Sequence, residues 1–421
     1  MIPLDFVNTL AAAGLVLFAG YAIQRRVPRL ARYNIPAPVI GGLLVAIVVS
    51  ALRAAGHDVV RFDTTLQPPL MIAFFTTIGF GASVALLRSG GPAVALFLGL
   101  STVVAVAQNL AGGAVASALG VPPLLGVLAG SVALTGGPAT ALAFAPLFEQ
   151  AGIAGAATLG VASAMVGIVT GGVIGGPIGT FLIERRHLRP AAARAAGPAP
   201  PAPDPALTLD PALAFEPPDP QPAPAAAGED PGARALLKGV VALVAAMAAG
   251  SWLSAWLNGW LAAWGMTLPA YIGAMLVAAA ARNLDDATGW IRLPLRLLDD
   301  LGNAALALFI AMALMTLKLW ELQHLALPLF VIVLAQVVLI TLVCFWPTFR
   351  MMGRDYDAAV MSSGFCGFML GTTANAMANM GVLVEKYGPA PRAYLVVPMV
   401  GAFFIDFTNA IIITGFLNFY R

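Results

Sequence analysis

Charge is scarce in this sequence. Of 421 residues, 22 are Lys or Arg and 20 are Asp or Glu, so 10% are charged while 60% are apolar. An ordinary soluble domain is about 25% charged and roughly 45–50% apolar. A water-soluble protein this poor in charge could not cover its surface, which leaves lipid as the main solvent; the mean hydropathy of +0.88 agrees. The net charge of +2 points to neither nucleic acid nor an acidic partner. The two cysteines, Cys344 and Cys366, both sit in apolar stretches and give no disulfide framework. Histidine is almost as rare. His57, His187 and His324 fall in predicted loops or at span edges, which argues against a proton relay through intramembrane histidine. No HExxH, no Walker A and no clustered His/Cys set is present, so enzyme chemistry has no support and no cofactor is expected.

What the chain does have is long uncharged runs: residues 89–148, 150–183, 239–281, 325–349 and 358–384 contain no Asp, Glu, Lys or Arg. A helix crossing the hydrocarbon core needs about 20 residues, so several runs hold more than one crossing. The N-terminus is only loosely like a signal peptide. Its one early charge is Asp5 and the Arg-rich run follows the apolar segment, so it reads as a retained first span with its N-terminus outside. Between Pro190 and Ala233 lie 13 of the 32 prolines, many alanines and six acidic residues. Such a stretch cannot bury a core and reads as a disordered linker. It sets the domains: an N-terminal half, 1–185; a linker, 186–235; and a C-terminal half, 236–421.

The ~20-residue rule places spans at about 4–23, 36–53, 69–87, 92–118 and 155–183, then 236–262, 268–282, 301–319, 326–348 and 393–416. Between the fourth and fifth span of each half comes a Gly/Thr-rich apolar segment, 121–148 and 358–380. The first is centred on Thr135 to Thr140 and the second on Gly371 to Asn375, and Gly136 and Gly371 sit at the same offset in their halves. Five spans per half is odd, so the second half must enter the membrane upside down. Inverted halves with broken segments at matching positions point to a transporter's binding site. The expected fold class is therefore an all-α polytopic membrane protein of two inverted repeats, each of five transmembrane helices with a re-entrant hairpin. Two ordinary helices per segment would give the same parity. Lys and Arg divide 18 to 4 between the two sides under this topology, which puts both termini outside and the linker in the cytoplasm.

No Arg or Lys lies near the middle of a span. A substrate carboxylate must then be met by backbone N–H groups at broken-helix ends, with hydroxyls and amides helping. The tips supply Thr135, Gly136, Gly137 and Thr140 in one half and Gly371, Thr372, Thr373 and Asn375 in the other. Glycine lets a ligand approach the backbone closely. Gly and Thr could instead merely pack helices, but two clusters at equivalent positions favour binding. Asp406 is the one acidic residue well inside an apolar run, and an intramembrane carboxylate is a functional-site hypothesis by default; a hydrogen bond between helices or a place near the membrane edge are the alternatives. Gly167, Gly171, Gly175 and Gly179 form a small-residue stripe that reads as helix packing. Trp252, Trp256, Trp260 and Trp264 read as an aromatic belt or a dimer contact.

Five strings carry a family resemblance: residues 35–45 (IPAPVIGGLLV), 69–79 (PLMIAFFTTIG), 311–322 (AMALMTLKLWEL), 351–360 (MMGRDYDAAV) and 396–406 (VVPMVGAFFID). With them the chain resembles the bacterial glutamate:sodium symporter family over nearly its whole length, the linker excepted. The resemblance implies ten spans, two re-entrant hairpins, a homodimer, an elevator-type motion and Na⁺-driven uptake of L-glutamate at the bacterial inner membrane. Na⁺ is a hard cation that prefers oxygen ligands, as other hard cations do. Asp406, Asn379, Asn409 and Asn109 are candidate ligands, with Gln108 beside Asn109 in the fourth span. The tips depart from the family's usual wording. Where it typically has Ser-Gly-Gly-His-Gly-Thr-Gly, this chain has Thr135, Gly136, Gly137, Pro138, Ala139, Thr140 and Ala141, and the histidine of the second tip is Phe365. A related amino acid or dicarboxylate as substrate, proton coupling through Asp406, and a hairpin-lined channel stand as the alternatives.

Overall fold

Lipid offers no hydrogen bonds, so a chain this apolar must satisfy its backbone internally, and a helix does so within one segment. A computed structural model describes residues 2–27, 35–56, 60–190, 231–261, 268–317, 319 and 325–420. Among these, the sole strand pairing is two residues long, Ile2–Pro3 beside Val60–Arg61. Everything else of regular structure is helical. The first half runs α1 (Phe6–Arg26), α2 (Ala37–Ala54), α3 (Gln67–Gly81), α4 (Gly91–Ala118), α5 (Pro123–Val127, continued by a π-turn over Leu128–Val132), α6 (Gly137–Gln150) and α7 (Ala156–Arg185). The second half runs α8 (Pro231–Leu261), α9 (Ala270–Thr288), α10 (Leu295–Met315), α11 (Ala326–Val343), α12 (Tyr356–Leu370), α13 (Thr373–Tyr387), α14 (Pro391–Met399) and α15 (Ile405–Phe419).

Seven of the described helices are long and apolar enough to cross a bilayer: α1, α2, α4, α7, α8, α10, and α11 carried on to Met351. Three expected spans take other forms. Residues 69–87 do not make one helix. α3 stops after 15 residues at Gly81, and a short helix, Val84–Ser89, follows. The break is capped from α9. Asn283 donates from Nδ2 to the Ala82 carbonyl (2.9 Å) and accepts from the Val84 N–H (2.7 Å), while the Ser83 hydroxyl donates to Asp286 (2.6 Å). α9 extends past residue 282 to Thr288 and so ends on charged residues. The last expected span, 393–416, is interrupted by a π-turn over Val400–Phe404 just after Pro398, where the missing proline N–H loosens the helical ladder. The linker residues 191–230, His57, His324, Lys318 and Trp264 lie outside the described residues. Trp252, Trp256 and Trp260 are exposed on α8.

The helices sort into two packed groups. α1, α2, α3, α8, α9 and α10 contact one another, and α4, α5, α6, α7 and α11 to α15 form the second group. Within the second group α7 is the spine. Its glycine stripe receives the α12–α13 hairpin: a methyl on Gly167 would lie 2.2 Å from the Leu370 carbonyl oxygen, and one on Gly179 would lie 2.2 Å from Leu383. The stripe is thus a packing surface. Gly167→Ala should lower thermal stability in detergent by about 1–3 kcal/mol, because backbone must shift to admit the methyl. Gly176→Ala on the same helix meets nothing within 4 Å and should be neutral or slightly stabilising. Melting curves of the two variants check the pair. Within the first group Phe75 of α3 stacks on Tyr271 of α9 at 4.2 Å, and Phe144 of α6 meets the same ring edge-on at 5.6 Å from the second group.

Candidate functional site

Each hairpin turns over where a new helix starts. In the first, α6 begins at Gly137, whose φ of +69° lies in the left-handed region, accessible to glycine at little cost. Its cap, Gly136, makes no side-chain capping bond, and Pro138 in the first turn has no N–H to offer. In the second hairpin α12 ends at Leu370 and α13 begins at Thr373. Here the Thr372 hydroxyl accepts from the Asn375 N–H (3.3 Å) and the Thr373 hydroxyl donates to the Gly401 carbonyl (2.6 Å). The two tips touch. A methyl on Gly137 would sit 3.7 Å from the Gly371 carbonyl oxygen and 4.0 Å from the Thr372 methyl.

Beside the tips lies a cavity of about 480 Å³ at the boundary between the two helix groups. Its second-group wall includes Thr135, Gly136, Gly137, Gly371, Thr372, Thr373 and Asp406. The opposite wall includes Tyr21 and Gln24 of α1, Phe74 of α3 and Asn303 of α10. Two helix N-termini, those of α6 and α13, therefore end in one wall. Each carries partial positive charge and unpaired N–H groups that suit an anion. Among the described residues no Lys or Arg lines the cavity, and Asp406 is the one charged side chain that does.

Seven of the twelve residues singled out from sequence are brought together here. The other five are placed elsewhere. Thr140 is buried beneath Gly136, where a methyl would collide with it at 2.5 Å. Asn375 and Asn379 donate to α7 carbonyls, those of Ile168 (2.7 Å) and Gly171 (2.9 Å). Asn109 accepts from the Ser131 N–H and Asn409 donates to the Ser131 carbonyl, both at 3.0 Å. None of these five lines the cavity. Tyr21, Gln24 and Phe74 escaped the sequence reading because residues of such types on lipid-embedded helices carry no distinguishing pattern. Asn303 did leave a signal, as a lone amide near the start of an expected span.

Gln108 holds the tips in register. It is fully buried, accepts the Thr135 hydroxyl on Oε1 (2.6 Å) and donates from Nε2 to the Met369 carbonyl (3.1 Å). One side chain thus ties the first tip to the last turn before the second. Gln108→Leu would strand two buried partners, at about 1–3 kcal/mol each. Reduced melting temperature together with reduced uptake per folded molecule is the expected result, read by a thermal-shift assay and by initial rates.

Comparison with known proteins places this arrangement. The family described as sodium/glutamate symporter matches over residues 2–197 and 225–389. The sodium/glutamate symporter of Escherichia coli (strain K12) is 40% identical over 420 residues, which is 99% of this chain and 98% of that protein. The symporter of the same description from Haemophilus influenzae is 36% identical over 404 residues, 96% of this chain and 95% of that protein. Symporters move solutes and are not enzymes. With matches of this identity over nearly the full length of both partners, the chain belongs to the sodium/glutamate symporter family.

Proposed function

We propose that this protein carries L-glutamate, or a closely related acidic amino acid, into the bacterial cell across the inner membrane, driven by Na⁺. The observation that carries the reading is the tip cavity: two helix N-termini and one carboxylate in a wall that, among the described residues, holds no cationic side chain. The N-termini suit the substrate's carboxylates. Asp406 suits a cation, either the substrate ammonium or the ion that travels with it. An anionic substrate entering beside a carboxylate needs a cation for company, and that is the electrostatic case for Na⁺ coupling. Of the candidate Na⁺ ligands, Asp406 borders the cavity, while Asn109 and Asn409 converge on Ser131 behind it. Asn379 has its amide N–H on the Gly171 carbonyl.

The proposed architecture is ten crossings in two inverted repeats, 1–185 and 236–421, with both termini periplasmic and the linker, 186–235, cytoplasmic. The hairpin helices support re-entrance. α12 and α13 have 15 residues each, about 22 Å at 1.5 Å per residue, against a hydrocarbon core of about 30 Å. The cavity's position between two separately packed helix groups supports an elevator-type motion. In it the hairpin group, with α4, α7 and α11, slides against the other six helices, carrying its wall of the site along. The exposed Trp252, Trp256 and Trp260 suit the interface of a homodimer or the membrane interface.

The test is uptake of labelled glutamate into proteoliposomes under an inward Na⁺ gradient, with aspartate and dicarboxylates as competitors. Accumulation above equilibrium that requires Na⁺ supports the reading. Uptake driven equally by a proton gradient without Na⁺ would move it to proton coupling. Passive, non-saturating flux would make the protein a channel.

A further inference from the structure

We infer that a Na⁺ site is built at the break in the first arm of the first hairpin, with Ser131, Asn109 and Asn409 as its side-chain ligands. This rests on the Na⁺-coupled reading above and says where one ion sits. The arm α5 does not run straight into the tip. Gly130 leaves helical geometry at φ −97°, ψ −126°, inside the π-turn Leu128–Val132. The break disposes Ser131 toward two asparagines from two other helices. Asn109 of α4 accepts from the Ser131 N–H and Asn409 of α15 donates to the Ser131 carbonyl.

All three side chains are at most 1% exposed, yet each leaves a polar atom with no partner: Ser131 Oγ, Asn409 Oδ1 and Asn109 Nδ2. Buried polar atoms are nearly always paired, and an unpaired one calls for an explanation such as a bound ion or water. Two of the three, Ser131 Oγ and Asn409 Oδ1, are oxygens with free lone pairs on two different elements at one helix break, while Asn109 Nδ2 is a donor and takes no part in holding a cation. The oxygens fit a small hard cation: the Ser131 hydroxyl, the free Asn409 carbonyl oxygen and the second lone pair of Asn109 Oδ1. Glycine at 130 is part of the niche, since a methyl there would lie 2.9 Å from Asn109 Oδ1. Charge balance is at hand. Asp406 is three residues before Asn409 on α15 and so shares its helix face, and it opens on the substrate cavity. An ion held here would couple to the substrate by tying the first hairpin to α4 and α15 and by offsetting Asp406.

Ser131→Ala is the discriminating variant, because Ser131 Oγ has no partner in the protein and its loss breaks no protein hydrogen bond. Asn109→Asp is the second. It keeps the oxygen that accepts from Ser131, replaces the unpartnered Nδ2, and adds negative charge. The readouts are melting temperature of the purified full chain titrated with NaCl against choline chloride, without substrate, and the Na⁺ half-saturation of glutamate uptake. Ser131→Ala should raise the half-effective Na⁺ concentration about tenfold in both. Asn109→Asp should lower it, and should be the less stable protein in choline. Unchanged Na⁺ half-effects in both variants, with wild type clearly Na⁺-dependent, would overturn the site and assign the niche to a buried water. A wild type indifferent to Na⁺ in both readouts would instead remove the Na⁺-coupled reading itself.

Discussion

Gly137→Val should all but abolish glutamate uptake while leaving the protein folded. Gly137 holds φ +69° at the first turn of α6, a conformation that costs a β-branched residue about 1–3 kcal/mol. The side chain would also be driven into the cleft where the tips touch, 3.7 Å from the Gly371 carbonyl oxygen at the Cβ alone. Strain and obstruction act on the same few atoms, the backbone N–H groups proposed to meet the substrate. A loss of at least about fivefold in initial rate follows from the strain if it opens the tip, and the obstruction adds to it. Gly137→Ala, with strain but little bulk, should lie between wild type and Gly137→Val. Rates normalised to folded protein, with a melting curve for each variant, check the order. Equal rates in all three would mean that the tips do not form the substrate site.

Asp406→Asn should be nearly as damaging, by a different route. Asp406 is the one charged side chain lining the cavity among the described residues, and the substitution keeps its shape while removing its charge. If it faces the substrate ammonium or offsets the travelling cation, truncating a desolvated charge pair costs about 2–5 kcal/mol, a fall of at least about 30-fold in uptake at fixed Na⁺. The loss should appear largely in the Na⁺ half-saturation and the glutamate KM. Asp406→Glu, with charge retained and position shifted, should recover part of it. Transport measured over a range of both solutes separates these effects from a simple loss of folded protein.

The hairpins were legible because their cause is local. Clusters of Gly, Thr and Pro interrupt an apolar run, and the helix breaks where they stand, at Gly136–Gly137 and at Gly371–Thr372. The end of α3 was not legible, because its cause is remote. Ala82 and Val84 leave the helix only because Asn283 of α9 satisfies their backbone groups. The candidate ion ligands show the same division. Sequence marks Asn109, Asn379 and Asn409 equally as amides inside apolar runs. Only packing shows that Asn379 spends its N–H on a carbonyl of α7, laid open by the glycine stripe, whereas Asn409 keeps an unpaired oxygen at the α5 break. Ser131 was missed altogether, since a single serine among small apolar residues looks like packing until the arm is seen to be broken at Gly130.

The claim that the tips of both halves share one substrate site is open to a direct measurement. Ala139 and Thr372 line the cavity from different halves, and the native thiols, Cys344 and Cys366, are buried. Ala139→Cys and Thr372→Cys, each made singly in the purified, transport-active protein, can be followed by their rate of reaction with a small water-soluble thiol reagent. Glutamate together with Na⁺ should slow modification at both positions, while choline with glutamate should protect neither. Protection at only one position, or at neither while Na⁺-dependent uptake persists, would contradict the shared site.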